Sequence, residues 1–444
     1  MNLLEKYNTG THSPKKKNRF KAVAQFINGK VGLIVYQILF LFAVIAVSFG
    51  MTPDKDVTQQ FEGLFYLDQS PVRVEVINGK IARIIRIKEL TGRNKNVYIG
   101  PGLIDNQVNG YSGVSFSLGN ATFTKEDAIK VTKDLWKAGV TSYLPTLRTN
   151  SQENLLRNLA VLAKAKQDPA TSGSIAGYHL EGPYISVENG YRGAHALEYV
   201  RKPEWNAFMK LYEASNKSIL QVTLAPEAEG AMDFIKRCRE NNIVVGLGHH
   251  NASFSLVKEA IDNGAQIATH LGNALANNIN RHENPLWSQL ADDRLMISVI
   301  GDGFHLLPEE LRVFYKVKGP TKTIITSDVD RYAGMAPGKY LNSEGDTIQL
   351  TTEGAVMYLA RNSLSGSAAP VTKGVGNVMK VTGCSLGEAF QMGSTNAAKL
   401  YGLTDRGEIK PGLRADLILF TIENFKINIK KTVVQGEVVY TSQE

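Results

Sequence analysis

Eight short apolar runs, each ending on polar or special residues, constrain this chain more than any other feature. They are LIDNQVNG from Leu103, SYLPTL from Ser142, IAGYHLEG from Ile175, ILQVTLAPE from Ile219, IVVGLGHH from Ile243, QIATHLGN from Gln266, LMISVIGDGFH from Leu295 and TIITSD from Thr323. Between them lie segments such as TKEDAIKVTKDLWKAG and SLVKEAIDNG, with apolar residues at helical period, capping residues at their starts and glycine at their ends. Eight strand-helix units predict an α/β fold, a closed (β/α)8 TIM barrel over residues 101–404. In such a barrel the carboxyl ends of the strands form the face that carries chemistry, so polar residues at those ends are expected to act rather than merely to be solvated.

The flanks have a different pattern. VRVEVINGKIARIIRI has two alternating runs around Asn78-Gly79, a hairpin signal, and ADLILF and TVVQGEVVY repeat that style near the other end. A small β-sandwich domain built from both termini, residues 56–100 and 405–444, is expected.

Residues 1–30 are basic, with seven Lys or Arg against one Glu, and supply +6 of the formal net charge of +8. The folded remainder is close to neutral, which removes the main support for a nucleic-acid partner. Residues 31–53, VGLIVYQILFLFAVIAVSFGMTP, contain no charge and follow PKKKNRFK. They are expected to form a hydrophobic helix that anchors the chain in a membrane with the barrel outside the cytoplasm, or a signal sequence that exports it; a misassigned start is the remaining alternative. The two cysteines, Cys238 and Cys384, fall in helical segments without metal spacing and are expected to be buried thiols.

Seven of the eight histidines lie between positions 179 and 305. Strands three, five, six, seven and eight finish on Glu181, His249, His270, His305 and Asp328. Histidines and carboxylates converging on one mouth suit a borderline divalent cation with an open coordination position; a polar pocket without metal is the alternative.

The stretches PGLIDNQVNG, HLEGPY, RGAHA, TLAPE, GHHNAS, THLGNAL, GDGFH, TSD, LSGS and GEIKPGLRADL, in that order, resemble the motifs of the N-acetylglucosamine-6-phosphate deacetylases of the amidohydrolase superfamily. The resemblance implies one metal ion, Zn²⁺, held by Glu181, His249 and His270. Many amidohydrolases carry a His-x-His after the first strand; here Gln107 and Asn109 stand at those positions, which implies no second ion and leaves them to the substrate. Asp328 is expected to move the water proton, with Asp330 as the other carboxylate within reach, and His195 to donate to the developing oxyanion. Asn273, Ala274, Arg281 and His305 are expected to hold the sugar phosphate, Arg281 across a homodimer interface. His250 is expected to fill the pocket wall, and Trp287 to pack a helix.

The chemistry is consistent with that set. Amide hydrolysis needs a nucleophilic water near neutral pH and a polarised carbonyl, and a bound divalent cation serves both needs. The expected activity is conversion of N-acetylglucosamine 6-phosphate to glucosamine 6-phosphate and acetate. The apolar leader argues for the alternative, an exported or membrane-anchored amidohydrolase acting on an unphosphorylated N-acyl sugar or N-acyl amino acid.

Overall fold

A computed structural model of the chain describes residues 59–117, 123–342, 345–361 and 363–443. Its centre is an eight-stranded parallel sheet whose strands neighbour one another in chain order: Leu103–Val108, Val140–Arg148, Tyr178–Glu181, Ile219–Leu224, Val244–Leu247, Ala265–Ala268, Met296–Ile300 and Thr323–Thr326. The first and last strands meet through a parallel bridge between Val108 and Val329, where the Asn109 N–H donates to the Val329 carbonyl at 2.8 Å. This nearly closes the sheet into the expected barrel.

Each crossover contains a helix, and several begin as the sequence dictates. Thr124 and Asp127 form a reciprocal capping box before Lys125–Lys137, while Ser151, Ser253 and Asn284 cap Gln152–Gln167, Phe254–Asn263 and Pro285–Ala291 with their side chains. Each cap gives an otherwise orphaned helix N–H an acceptor.

The barrel is a packed core, not a pore. Ile104, Leu144, Val244, Ile267 and Ile324 pack with Ala397, Ala398 and Tyr401 from the segment after strand eight. Next to this apolar layer runs a buried polar chain. Asn106 Nδ2 donates to the Tyr401 hydroxyl at 2.9 Å, Tyr401 donates to Gln221, Gln221 Nε2 lies 3.1 Å from His179 Nε2, and Thr223 Oγ1 is 2.8 Å from both His179 Nε2 and Thr269 Oγ1. Burial pushes the His179 ring down to about 4, so it stays neutral among these partners. The histidine of HLEGP is therefore a core residue.

The chain ends combine in one seven-stranded sheet. Gln59–Phe65, Pro71–Ile77, Lys80–Arg86 and Tyr98–Pro101 come from one side, and Leu417–Glu423, Lys426–Val434 and Glu437–Thr441 from the other. The hairpin at Asn78-Gly79 has both residues at positive φ, 50° and 73°, and Gln435-Gly436 repeats this at 51° and 82°. These two turns, from opposite ends of the strand order, meet: a Cβ on Gly79 would lie 2.6 Å from the Gln435 carbonyl oxygen. The expected sandwich is thus corrected to a single sheet, curled until its distant hairpins touch.

A third sheet went unanticipated. After strand eight, Gly338–Leu341, Thr347–Leu350, Ala355–Tyr358 and Ser363–Ser367 form an antiparallel four-stranded sheet with its own small core of Tyr332, Ile348, Leu350, Val356 and Tyr358. LSGS lies in the last of these strands.

The expected placement of the barrel outside the cytoplasm also needs correction. Among the described residues no helix is long and apolar enough to cross a membrane. Residues 31–53, on which the anchor or signal was read, lie outside the described residues.

Candidate active site

The strand ends bring Glu181, His249 and His270 to one point. Glu181 ends strand three, while His249 and His270 follow strands five and six by two residues. Both histidines, and Asp328 after strand eight, have positive φ: 55°, 34° and 51°. Left-handed backbone costs a side-chain-bearing residue about 1–3 kcal/mol, and such strain concentrates where the surroundings hold a functional group in place.

The three side chains are buried and their inner atoms nearly touch. His249 Nε2 and His270 Nε2 lie 3.2 and 2.9 Å from Glu181 Oε1 and 3.1 Å from each other. His249 Nδ1 is 3.2 Å from the carbonyl oxygens of both Tyr191 and Arg192, so that nitrogen carries the ring proton. In the neutral ring this leaves Nε2 as the atom that can bind a cation. One O and two N atoms, with the His249 ring proton fixed on the far side, form a ligand set that fits a divalent metal. Without metal, protons between these atoms take its place. Burial alone would raise the Glu181 carboxyl, but His249 and His270 beside it hold it well below the usual carboxylate range; burial opposes charge on His270, yet Glu181 raises it above an ordinary histidine.

The first strand supplies amides around this centre. Gln107 Nε2 donates to Glu181 Oε1 at 2.8 Å, and Asn109 Nδ2 donates to Asp328 Oδ1 at 2.7 Å. Gln107 does not line the cavity, contrary to the expectation of a substrate contact; its amide serves Glu181 instead. Burial, then the Glu181 charge, pushes the Asp328 carboxyl up to about 7, with His270, His305 and Asn109 pulling the other way. His195 is buried, with Nδ1 2.8 Å from Thr149 Oγ1 and Nε2 4.0 Å from Glu181 Oε2. Burial, then neighbouring His249, keeps it well below the ordinary histidine value and hence neutral.

These groups open into a cavity of about 640 Å³, lined also by Asn273, Ala274 and His305, whose Nδ1 is 2.7 Å from Asp302 Oδ2. Arg281 is exposed and does not line it. Nor does His250, which accepts the Ala252 N–H at 3.2 Å in its own loop; Trp287 is half-exposed and donates to the Arg281 carbonyl. Arg148, Arg331, Tyr332 and Tyr358, none of them expected from the sequence, also line the cavity. Arg148 could have been found, since it ends strand two just as Glu181 ends strand three.

A nearly closed β/α barrel with a Glu-His-His cluster at its strand ends defines the class as a hydrolase of the amidohydrolase type. The comparisons agree. The Amidohydrolase family matches residues 98–439. The N-acetylglucosamine-6-phosphate deacetylase of Bos taurus is 32% identical over 357 residues, covering 78% of this chain and 84% of that one, and the enzyme so named from Lysinibacillus sphaericus is 28% identical over 349 residues, covering 77% and 87%. The crystal structure of N-acetylglucosamine-6-phosphate deacetylase from Thermotoga maritima superposes with a TM-score of 0.75 at 28% identity, covering 86% of this chain and 100% of that chain. The chain belongs to the amidohydrolase family and, within it, to the N-acetylglucosamine-6-phosphate deacetylases, and it is an enzyme of that type. The relatives are named for a phosphorylated sugar, so the reading of an exported enzyme for unphosphorylated substrates is not carried forward.

Proposed function

We propose that this enzyme hydrolyses the N-acetyl amide of a hexosamine 6-phosphate, with N-acetylglucosamine 6-phosphate as substrate, through one divalent ion held by Glu181, His249 and His270. The observation that carries the reading is the convergence of Glu181 Oε1, His249 Nε2 and His270 Nε2 within 3.2 Å of one another, a donor set that fits one divalent ion at the cavity. Zn²⁺ suits this ligand set, and when bound it supplies the Lewis acidity that amide hydrolysis needs.

This chain's own residues do the rest. Asp328 takes a proton from the attacking water and passes it to the nitrogen as the C–N bond breaks, leaving acetate and a free amine. Asn109 holds one Asp328 oxygen and leaves the other for that transfer. His195 donates from Nε2 to the carbonyl oxygen as it gains charge. Asn273, Ala274 and His305 line the side of the cavity where strands six and seven end, and there they receive the phosphate. Arg281, exposed and outside its own chain's cavity, acts in the pocket of a second copy, so the working form is a homodimer.

The test is acetate release by the Zn²⁺-loaded full chain from N-acetylglucosamine 6-phosphate, its unphosphorylated parent and N-acetylgalactosamine 6-phosphate, the last because an Escherichia coli relative is named for that sugar. The first should exceed the second by about 100-fold in kcat/KM. A greater rate on the galactose epimer would change the substrate; no release from any of the three would end the reading. Asp328→Asn should lower kcat by about 10³-fold or more with metal content retained, and loss of the metal would make Asp328 a ligand instead.

A further inference from the structure

Among the described residues the Arg148 guanidinium has an ion pair but no hydrogen-bond partner. It ends strand two and lines the cavity, 32% of its side chain is exposed, and its ion-pair partner is Asp330, whose Oδ2 lies 3.5 Å from Nη2, with the Glu181 and Asp328 charges further off. Its Nε is buried with no acceptor. An arginine presents five donors in a rigid fork, and burying such donors unpaired is costly. Arg331, five residues beyond strand eight, repeats the pattern: it lines the same cavity, its Nε is buried without a partner, and its guanidinium lies 5.5 Å from the centre of the Tyr332 ring. Among the described residues lining the cavity these two are the only arginines or lysines.

Their setting holds them in place. Asp330 receives the Arg331 backbone N–H on Oδ1 at 2.7 Å and presents Oδ2 to Arg148, while its own N–H donates to Ser367 of the four-stranded sheet at 2.8 Å. Counted round the barrel, strand two lies four strands from strand six, so this wall faces the loop of Asn273 and Ala274 across the mouth.

We propose that Arg148 and Arg331 form an oxyanion subsite that determines specificity, so that the substrate presents an acidic group to this wall. That group is either the sugar's phosphate, which then lies opposite the side assigned above, or a second acid, a carboxylate, on a sugar whose phosphate remains at the strand-six side. The inference rests on reading this cavity as the substrate site but not on the hydrolysis itself.

Binding of deacetylated ligands tests it without turnover. Calorimetric titration of the Zn²⁺-loaded full chain would use glucosamine, glucosamine 6-phosphate and muramic acid, which carries a carboxylate on its O3 ether. The variant is Arg148→Gln with Asp330→Asn, removing both members of the ion pair. Relative to glucosamine, affinity for at least one acid-bearing ligand should fall about tenfold or more. Selective loss of glucosamine 6-phosphate identifies the phosphate as the group held, and selective loss of muramic acid identifies a second acid. Equal losses on all three ligands, or none on either acid, would overturn the subsite. If the double variant does not fold by circular dichroism, Arg331→Gln gives the same comparison from the other guanidinium, with the same outcomes deciding. Acetate release by the wild-type enzyme reports separately on the hydrolase reading, so either can fail without the other.

Discussion

His195 can donate to an oxyanion only if its proton is on Nε2, and Thr149 decides that. The ring is neutral, because burial and His249 keep its pKa low, so it carries one proton. The Thr149 hydroxyl lies 2.8 Å from Nδ1, and when it donates there the single ring proton is on Nε2. Thr149→Val removes the donor at nearly constant volume and should lower kcat by about 10- to 100-fold with little change in KM, while Thr149→Ser restores most of it. Steady-state kinetics on folded, metal-loaded protein checks this, and a Ser variant as impaired as Val would assign Thr149 to packing. At this scale the sequence was only partly legible. Glu181, His249, His270 and Asp328 could be named because they end a strand or follow one by two residues, and the structure gathers them within one cavity. Gln107 could not be assigned from a strand position alone, because whether its amide meets a ligand or a carboxylate depends on strand three, 74 residues away.

At the scale of elements, local signals carried far and distant pairings did not. The barrel strands announced themselves because the apolar runs alternate with helical segments, several with their own caps, and the Asn78-Gly79 hairpin because only a few residue types tolerate two consecutive positive φ angles. Nothing local reveals that this turn meets Gln435-Gly436 to curl the terminal sheet. The four-stranded insertion escaped for a related reason: TIQL and AVMY are four-residue strands, too short for alternation to stand out, and they become a sheet by pairing with each other. The turn-to-turn contact gives a direct test. Gly79→Ala forces a Cβ into left-handed backbone and to 2.6 Å from the Gln435 carbonyl oxygen, so it should cost about 2 kcal/mol or more and lower the melting temperature. No described residue of this sheet lines the cavity, so kcat per folded molecule should not change; an unchanged melting temperature would mean the two turns separate easily.

For the whole molecule, the metal site makes stability depend on a cation that can be either a metal ion or a proton. In the metal-free protein the Glu181 carboxylate raises the His270 pKa above its ordinary 6.5, so protonated His270 fills the place of the cation. A histidine raised in the folded state contributes stability that is fully present below its unfolded value and is lost as pH rises through the raised one. His179 and His250 shift the other way, each pushed down to about 4 chiefly by burial, and so favour folding less as pH falls below about 6.5; they do so with or without metal and cancel in a comparison of the two forms. A bound ion stabilises by mass action, about 4 kcal/mol at a thousand times its Kd, and it binds less well where protons compete for its ligands. Both effects have the same sign. The gap in melting temperature between Zn²⁺-loaded and chelator-treated enzyme should therefore be small at pH 6 and widen toward pH 8.5, measured by calorimetry at each pH. Glu181→Gln keeps the shape, removes the charge that raises His270, and should flatten the pH dependence of the metal-free form while weakening metal binding. A gap independent of pH, or wider at pH 6, would mean that His270 and Glu181 do not share a proton in the empty site and that the cluster is held together by packing alone.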